Sequence, residues 1–310
     1  VTTDEKGEAI LTDLPLGTYR VVETKAPTGF VINSDSQELT FLYKDQNTPV
    51  VEETVEFSNK RQKVDLKVVK EDAENGKKLE GAKFGIYNKN DILSGDKVIV
   101  KADTLLQKVK SDKNGLAQIT LDLPLGKYYV KELQAPDGYV SSDEILEFDA
   151  SYQGQDVKVI KLKATKKNQP TTVEITKADV TTGVELDGAS LIILNKKGEV
   201  VDFWTSVKDK PHVIKGLKVG EIYTLREQIA PYGYLRTTDI SFQISDTAEV
   251  QKVKMEDDVP IARLLVNKKG EFLDDVTLLD NAKGMVEHFF SYVTGSLMDV
   301  SFNVYAAEDI

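Results

Sequence analysis

Side chains able to do chemistry are scarce in this sequence, and their types exclude most reactions. There is no cysteine, so disulfides, thiolate nucleophiles and Cys-ligated zinc are ruled out. The two histidines, His212 and His288, fall in different repeats, which leaves a Ser-His-Asp site or a His-rich metal site without its imidazoles. Carboxylates are plentiful, but nothing in their spacing sets a pair across a cleft as glycoside hydrolysis requires. Asp4-Glu5-Lys6-Gly7 and Asp112-Lys113-Asn114-Gly115 lack the alternating ligands and closing glutamate of a calcium loop and read as turns. Gly76 and Gly81 have the glycine spacing of a phosphate loop, but Ala82-Lys83 follows where Lys-Ser/Thr is needed. Trp204, beside Phe203 and near His212, is read as core packing in preference to an exposed stacking platform. No metal and no cofactor is expected. What stands out is one glutamate repeated three times. Glu23, Glu132 and Glu227 each lie three residues before an Ala-Pro-x-Gly turn. A glutamate on a strand is ordinarily a solvated face; recurrence at equivalent positions argues otherwise.

The elements that carry these glutamates repeat with them. Leu-Pro-Leu-Gly-Thr-Tyr-Arg-Val-Val-Glu-Thr-Lys-Ala-Pro-Thr-Gly-Phe at 14–30 returns as Leu-Pro-Leu-Gly-Lys-Tyr-Tyr-Val-Lys-Glu-Leu-Gln-Ala-Pro-Asp-Gly-Tyr at 123–139. A looser copy, Gly-Glu-Ile-Tyr-Thr-Leu-Arg-Glu-Gln-Ile-Ala-Pro-Tyr-Gly-Tyr, occupies 220–234. The phrase glycines Gly17, Gly126 and Gly220 are 109 and 94 residues apart, periods that mean whole domains in series. Within a period, alternating runs such as 18–23, 64–69 and 173–176 read as strands. Asn75-Gly76, Asn114-Gly115, Pro136-Asp137-Gly138 and Thr182-Gly183 punctuate them as turns. No stretch of helical length keeps a 3.6-residue stripe, so the fold class is all-β, built of tandem sandwiches.

Each module opens on a lysine-bearing strand followed by Gly-Ala after an acidic residue, as at Glu80-Gly81-Ala82 and Asp187-Gly188-Ala189. The expected divisions are the C-terminal half of a module at 1–61, complete modules at 62–168 and 169–258, and an N-terminal half at 259–310. Linkers are expected near 60–63, 167–171 and 257–260. Ser301-Phe302-Asn303-Val304-Tyr305 echoes Lys83-Phe84-Gly85-Ile86-Tyr87. The net charge of −11, with no basic cluster, makes nucleic acid an unsuitable partner. No apolar run is long enough to span a membrane.

The phrase Tyr-x-x-x-Glu-x-x-Ala-Pro-x-Gly-Tyr/Phe resembles the E-box of SpaA-type or Cna-B-type (prealbumin-like) modules of Gram-positive pilins and surface adhesins. The openings Lys70-Glu71-Asp72 and Lys177-Ala178-Asp179 resemble that family's first strand, and the resemblance covers essentially the whole chain. It implies seven-stranded, Ig-like sandwiches closed by an intramolecular isopeptide bond from a first-strand lysine to an Asn or Asp of the last strand, assisted by the E-box glutamate. Carried over, the shuttling glutamates are Glu23, Glu132 and Glu227. The first segment has Asn59 as acceptor, and the third has Lys177 with Asp257. Asn59 precedes Lys70 by eleven residues and Asp257 precedes Lys268 by eleven, which makes Lys268 the donor of the last segment. In the second module Lys70 is the donor. The eleven-residue rule falls there on Lys166, and Asn168 lies two residues later on the same strand face.

Elementary chemistry makes such a bond reasonable. Burial disfavours the charged form of an amine and raises a carboxyl's pKa, giving a neutral nucleophile beside a protonated acid. Contact between them turns a bimolecular condensation into an intramolecular one. The resemblance therefore implies a structural stalk or spacer on the wall-attached, extracellular surface of a Gram-positive bacterium, with neighbouring modules as partners and no enzymatic activity beyond self-crosslinking. The alternative is a module that grips a host or matrix protein or a carbohydrate.

Overall fold

A computed structural model describes residues 1–280 and 286–305. It divides into two compact units, 1–258 and 259 onward. Among the described residues every regular element is a strand. The first segment holds the antiparallel pair β1 (Gly17–Val22) and β2 (Ser36–Phe41). The second repeat runs through β3 (Lys63–Asp72), β4 (Lys83–Asn88), β5 (Ile92–Ser94), β6 (Lys97–Val100), β7 (Leu105–Lys110), β8 (Leu116–Gln118), β9 (Gly126–Gln134), β10 (Leu146–Ala150) and β11 (Val159–Asn168). The third has β12 (Thr172–Asp179), β13 (Ser190–Leu194), β14 (Val200–Thr205), β15 (His212–Lys215), β16 (Ile222–Ile229), β17 (Ile240–Gln243) and β18 (Gln251–Asp257).

Each of these two repeats forms one four-stranded and one three-stranded sheet, β10-β9-β4-β7 with β11-β3-β8, and β14-β13-β16-β17 with β15-β12-β18. The second adds the small β5–β6 hairpin. Period-two alternation explains the packing. On β3, Val64, Leu66 and Val68 face inward against Phe84, Ile86, Tyr128, Val130 and Phe148 of the opposite sheet. On β12, Val173 and Ile175 face Leu191, Ile193, Tyr223 and Leu225. First and last strands of each repeat lie side by side and parallel, β3 with β11 and β12 with β18. The same alternation that buries the aliphatic residues therefore carries Lys70 and Asp72, or Lys177 and Asp179, into the end of each core.

The E-box phrase acquires a structural reason. Tyr19 and Tyr128 donate from their hydroxyls to the carbonyls of Pro15 and Pro124, four residues back, at 2.8 and 2.7 Å. This closes the corner that leads into the glutamate-bearing strand. Past Glu132 and Glu227 the pairing with the neighbouring strand slips by one residue, a bulge that ends the ladder beside the glutamate.

The repeats meet through their E-box turns. Thr171 N donates to Gly138 O at 3.0 Å, and the buried Thr171 hydroxyl donates to Leu217 O at 2.6 Å. Gly138 has φ +84°, and a Cβ there would lie 2.4 Å from Gly216 O, so this close approach needs glycine. One junction earlier, Gln62 N donates to Gly29 O at 3.0 Å, and Ala26 N to Gln155 Oε1 at 2.9 Å.

The second unit contains the antiparallel hairpin β19 (Lys269–Asp280) and β20 (Val286–Ser296). Residues 301–305, whose sequence echoes β4, carry no strand. An amphipathic run becomes a strand only where a neighbour completes its ladder.

Candidate functional site

In the second repeat the structure gathers Lys70 from β3, Glu132 from β9 and Asn168 from the end of β11 into one dry pocket. Lys70 is wholly inaccessible, and the Glu132 side chain is 1% exposed. Lys70 Nζ donates to Asn168 Oδ1 and, at 3.3 Å, to the backbone carbonyl of Lys166. Glu132 bridges Lys70 and Asn168. Its Oε1 stands 3.4 Å from Lys70 Nζ, in ion-pair range but not aligned as a hydrogen bond. Its Oε2 accepts from Asn168 Nδ2 at 2.7 Å, and Nδ2 also donates to Val140 O at 2.7 Å. Burial brings the Lys70 amine down to about 8, with the Glu132 carboxylate pulling the other way. The Lys70 carbonyl accepts from Leu79 N at 3.0 Å, and its amide donates to Gly115 O at 2.7 Å, so the lysine backbone is fixed on both sides.

The third repeat builds the same pocket from β12, β16 and β18. Lys177 Nζ contacts Asp257 Oδ1 and lies 3.2 Å from Glu227 Oε1, all three side chains being at most 1% exposed. Glu227 Oε2 accepts from Thr237 N at 3.1 Å. Burial pushes the Glu227 carboxyl up, opposed by that amide and by the Lys177 cation. Asp257 Oδ2 is buried without a hydrogen-bond partner. An orphaned carboxylate oxygen in such a place is costly unless a proton covers it.

The strand register equates the two acceptors. Lys70 stands opposite Lys166 and Lys177 opposite Met255; Asn168 and Asp257 each come two residues later. Asn168 therefore occupies the place of Asp257 although it precedes the next opening lysine by nine residues instead of eleven. Lys166, on which the eleven-residue rule falls, turns its amine away to Ser142 and Glu144. The linkers 60–62 and 169–171 are equally long, and the two residues are lost from the strand that follows: Lys70 is the eighth residue of β3 and Lys177 the sixth of β12.

In the first segment Asn59 Nδ2 donates to Glu23 Oε1 and Oε2 at 2.9 and 2.7 Å and to Val31 O at 2.9 Å, the hydrogen-bond pattern of Asn168 with no lysine opposite. Lys268 is exposed ahead of β19, and its carbonyl accepts from Leu297 N at 3.0 Å; no acceptor is brought to it among the described residues.

Other residues acquire roles that spacing did not reveal. The hydroxyl of Tyr139 donates to Asp72 Oδ2 at 2.9 Å and that of Tyr234 to Asp179 Oδ2 at 3.0 Å. The aspartate of each Lys-x-Asp opening thus fastens the last residue of the E-box, while its other oxygen caps the following turn. The recurrence of Gly-Tyr alongside Lys-x-Asp was the available signal. Trp204 packs against the third-repeat core and stacks on His212 at 4.0 Å, with Phe203 beside it exposed. Asp4 and Asp112 spend their carboxylates on amides of their own turns.

Comparison with known proteins agrees with this architecture. The SpaA model, described as a prealbumin-like fold domain, matches residues 1–56, 64–166 and 171–259. Among solved structures, the Bacillus anthracis TIE protein is 31% identical over 83% of this chain with a TM-score of 0.56; the chain spans 45% of that structure's length. A streptococcal ancillary pilin is 24% identical over 80% of this chain and 76% of its own, with a TM-score of 0.29. A C-terminal fragment of the pilus adhesin SpaC from Lactobacillus rhamnosus GG is 17% identical over 66% of this chain and all of its own, with a TM-score of 0.41. No curated protein matches. With three matched stretches that together cover most of its length, the chain belongs to the SpaA family of prealbumin-like fold domains.

Proposed function

We propose that the chain is a stalk segment of a cell-surface adhesin or pilin-like protein of a Gram-positive bacterium. In this reading 62–168 and 169–258 are complete modules, each closed by an isopeptide bond between its first and last strands. Residues 1–61 correspond to the C-terminal half of a module and 259–310 to an N-terminal half. The observation that carries the reading is the recurrence of one buried Lys–Glu–acceptor triad at the same register position in both complete repeats. Membership of a family of structural domains supports a spacer role over catalysis on an outside substrate.

The chemistry follows from the contacts. In the second module neutral Lys70 Nζ attacks Cγ of Asn168. One amine proton passes through Glu132 to Nδ2, and the Cγ–Nδ2 bond breaks to release ammonia. In the third, neutral Lys177 Nζ attacks Cγ of Asp257; the proton shared by Glu227 and Asp257 and one proton from the amine both pass to the departing Asp257 oxygen, and the Cγ–O bond breaks to release water. The partners proposed are the neighbouring modules of the same chain. Intact-mass measurement with peptide mapping tests this. The expected result is a deficit of one ammonia plus one water, with branched Lys70–Asn168 and Lys177–Asp257 peptides. An unmodified mass overturns it and leaves two ordinary buried ion pairs.

A further inference from the structure

The second repeat buries a further lysine that the condensation does not consume. Lys166 lies on β11 directly opposite Lys70, one strand away, and its side chain is 1% exposed. Its Nζ donates to Ser142 Oγ at 2.8 Å, Glu144 O at 2.7 Å and Glu144 Oε2 at 2.9 Å. Three acceptors satisfy the three protons of an ammonium. Lys70 Nζ makes only two hydrogen bonds, to Asn168 Oδ1 and Lys166 O, which is the capacity of a neutral amine. Lys166 also ties down the segment that follows the E-box. Ser142 and Glu144 are held by its amine, and Val140 O is held by Asn168 Nδ2. The third repeat places buried, apolar Met255 at the same register position.

We propose that Lys166 is a positioning residue for the Lys70–Asn168 condensation: a fixed, buried ammonium that weakens the facing amine's hold on its proton while strapping residues 140–144 over the pocket. This rests on the crosslinking reading above. A protonated Lys70 has no lone pair with which to form the Nζ–Cγ bond, and a like charge held nearby in a dry pocket disfavours that protonation. The groups acting on Lys70 are Glu132 of β9 and Glu144 of the strapped segment, which favour its charge, and Lys166 of β11, which opposes it. On its own strand, Asp72 is engaged by Tyr139 and by turn amides. An amide acceptor makes such a device useful, because Asn168 brings no ionisable proton of its own to the pocket.

The test follows bond formation in the freshly synthesised full chain by intact mass and by the mapped Lys70–Asn168 peptide. It runs between about pH 6 and pH 9, an interval that brackets the Lys70 value of about 8. Wild type is compared with Lys166→Met, which installs the third repeat's residue, and with Lys166→Arg, which keeps the charge. Lys166→Met is expected to slow the step about threefold or more near neutrality and to move its half-maximal pH upward. Lys166→Arg is expected to keep the wild-type midpoint. The Lys177–Asp257 bond in the same molecules serves as the internal control. If Lys166→Met does not fold, Lys166→Gln, which removes the charge and keeps a hydrogen-bonding side chain opposite Ser142, should move the midpoint in the same direction. A Lys166→Met profile that coincides with wild type, or one slowed equally at every pH, overturns the inference. A wild type that never loses ammonia overturns the crosslinking reading itself.

Discussion

The second and third repeats bring a lysine and a glutamate to the same place and differ in what they set before them. In the second, the acceptor is an amide whose nitrogen is fully engaged by Glu132 and Val140, and a second ammonium stands opposite Lys70. In the third, the acceptor is an acid with one oxygen unpartnered, the glutamate's carboxyl is pushed up by burial, and an apolar Met255 takes the place of Lys166. In the crosslinking reading both arrangements would lead toward the same reactive state, a neutral amine beside a carbonyl with a poor leaving group made better by a proton. The amide pocket works on the amine, helping it shed its proton. The acid pocket would work on the carboxyl side, where burial, with the neighbouring Asp257 adding to it, pushes Glu227 up. Which group is tuned follows from which acceptor is present.

The largest expected effect separates the two pockets completely. Glu132→Ala should abolish the ammonia loss and leave the water loss, and Glu227→Ala the reverse, each read by intact mass. The bonds would close loops of 98 and 80 residues. By analogy with other crosslinks, each unlinked repeat should lose about 4 to 5 kcal/mol, measured by denaturant midpoints. Loss of both bonds from either variant alone would show that the pockets do not act independently.

Next comes a pH effect from the amide pocket. In Glu132→Ala the Lys70 amine remains free, and removal of the Glu132 charge holds it at or below the folded value of about 8, against an ordinary 10.5. Below 8 the amine is protonated in both states and stability has no slope from it. Between about 8 and 10.5 the unfolded chain binds the proton that the folded chain refuses, so stability should climb with pH by about 3 kcal/mol and then level off. Urea midpoints of the variant at rising pH measure this. A flat profile would contradict the burial argument, and the linked wild type should show no such climb from this residue.

Smaller effects test the frame around the pockets. Gly138→Ala forces a Cβ against Gly216 at a positive φ and should cost about 2 kcal/mol. At the earlier junction Gly29, also at positive φ, would meet only Leu125 Cδ1 at 3.6 Å, so Gly29→Ala should cost about 1 kcal/mol. Equal penalties would mean that the two junctions are packed alike. Smallest, Tyr139→Phe and Tyr234→Phe should each cost about 1 kcal/mol by freeing Asp72 or Asp179. The first segment already carries Phe30 at that position.

Much of this was legible in the amino-acid sequence because repetition marks what burial hides. The E-box glutamates and the opening lysines of the two complete repeats recur in register, and alternation along β3 and β12 sends the lysines inward with the valines. Spacing failed where the opening strands differ in length. Asn168 sits two residues off the rule because β12 reaches its lysine two residues sooner than β3 does, and only the β3–β11 and β12–β18 ladders show it to be equivalent to Asp257. Nothing in the sequence assigned Lys166 a role beyond the position where the eleven-residue rule falls, because its partners, Ser142 and Glu144, come from an irregular segment with no repeating pattern. The echo at 301–305 carries no strand, because a strand-like sequence does not supply the neighbour it must pair with.

The parallel neighbours β3 and β11 have a mechanical consequence. A pull along the chain would enter this repeat at residue 63 and leave beyond residue 168, and both bonded side chains lie at the exit end. With Lys70 joined to Asn168, tension would run down β3 to residue 70, cross the amide and pass through three linker residues into β12. The 98 residues of separation between donor and acceptor would carry no load, so about 330 Å of extensible chain would be withheld from the tether. The segment would then transmit force as a strap of nearly constant length, yielding only when a covalent bond does.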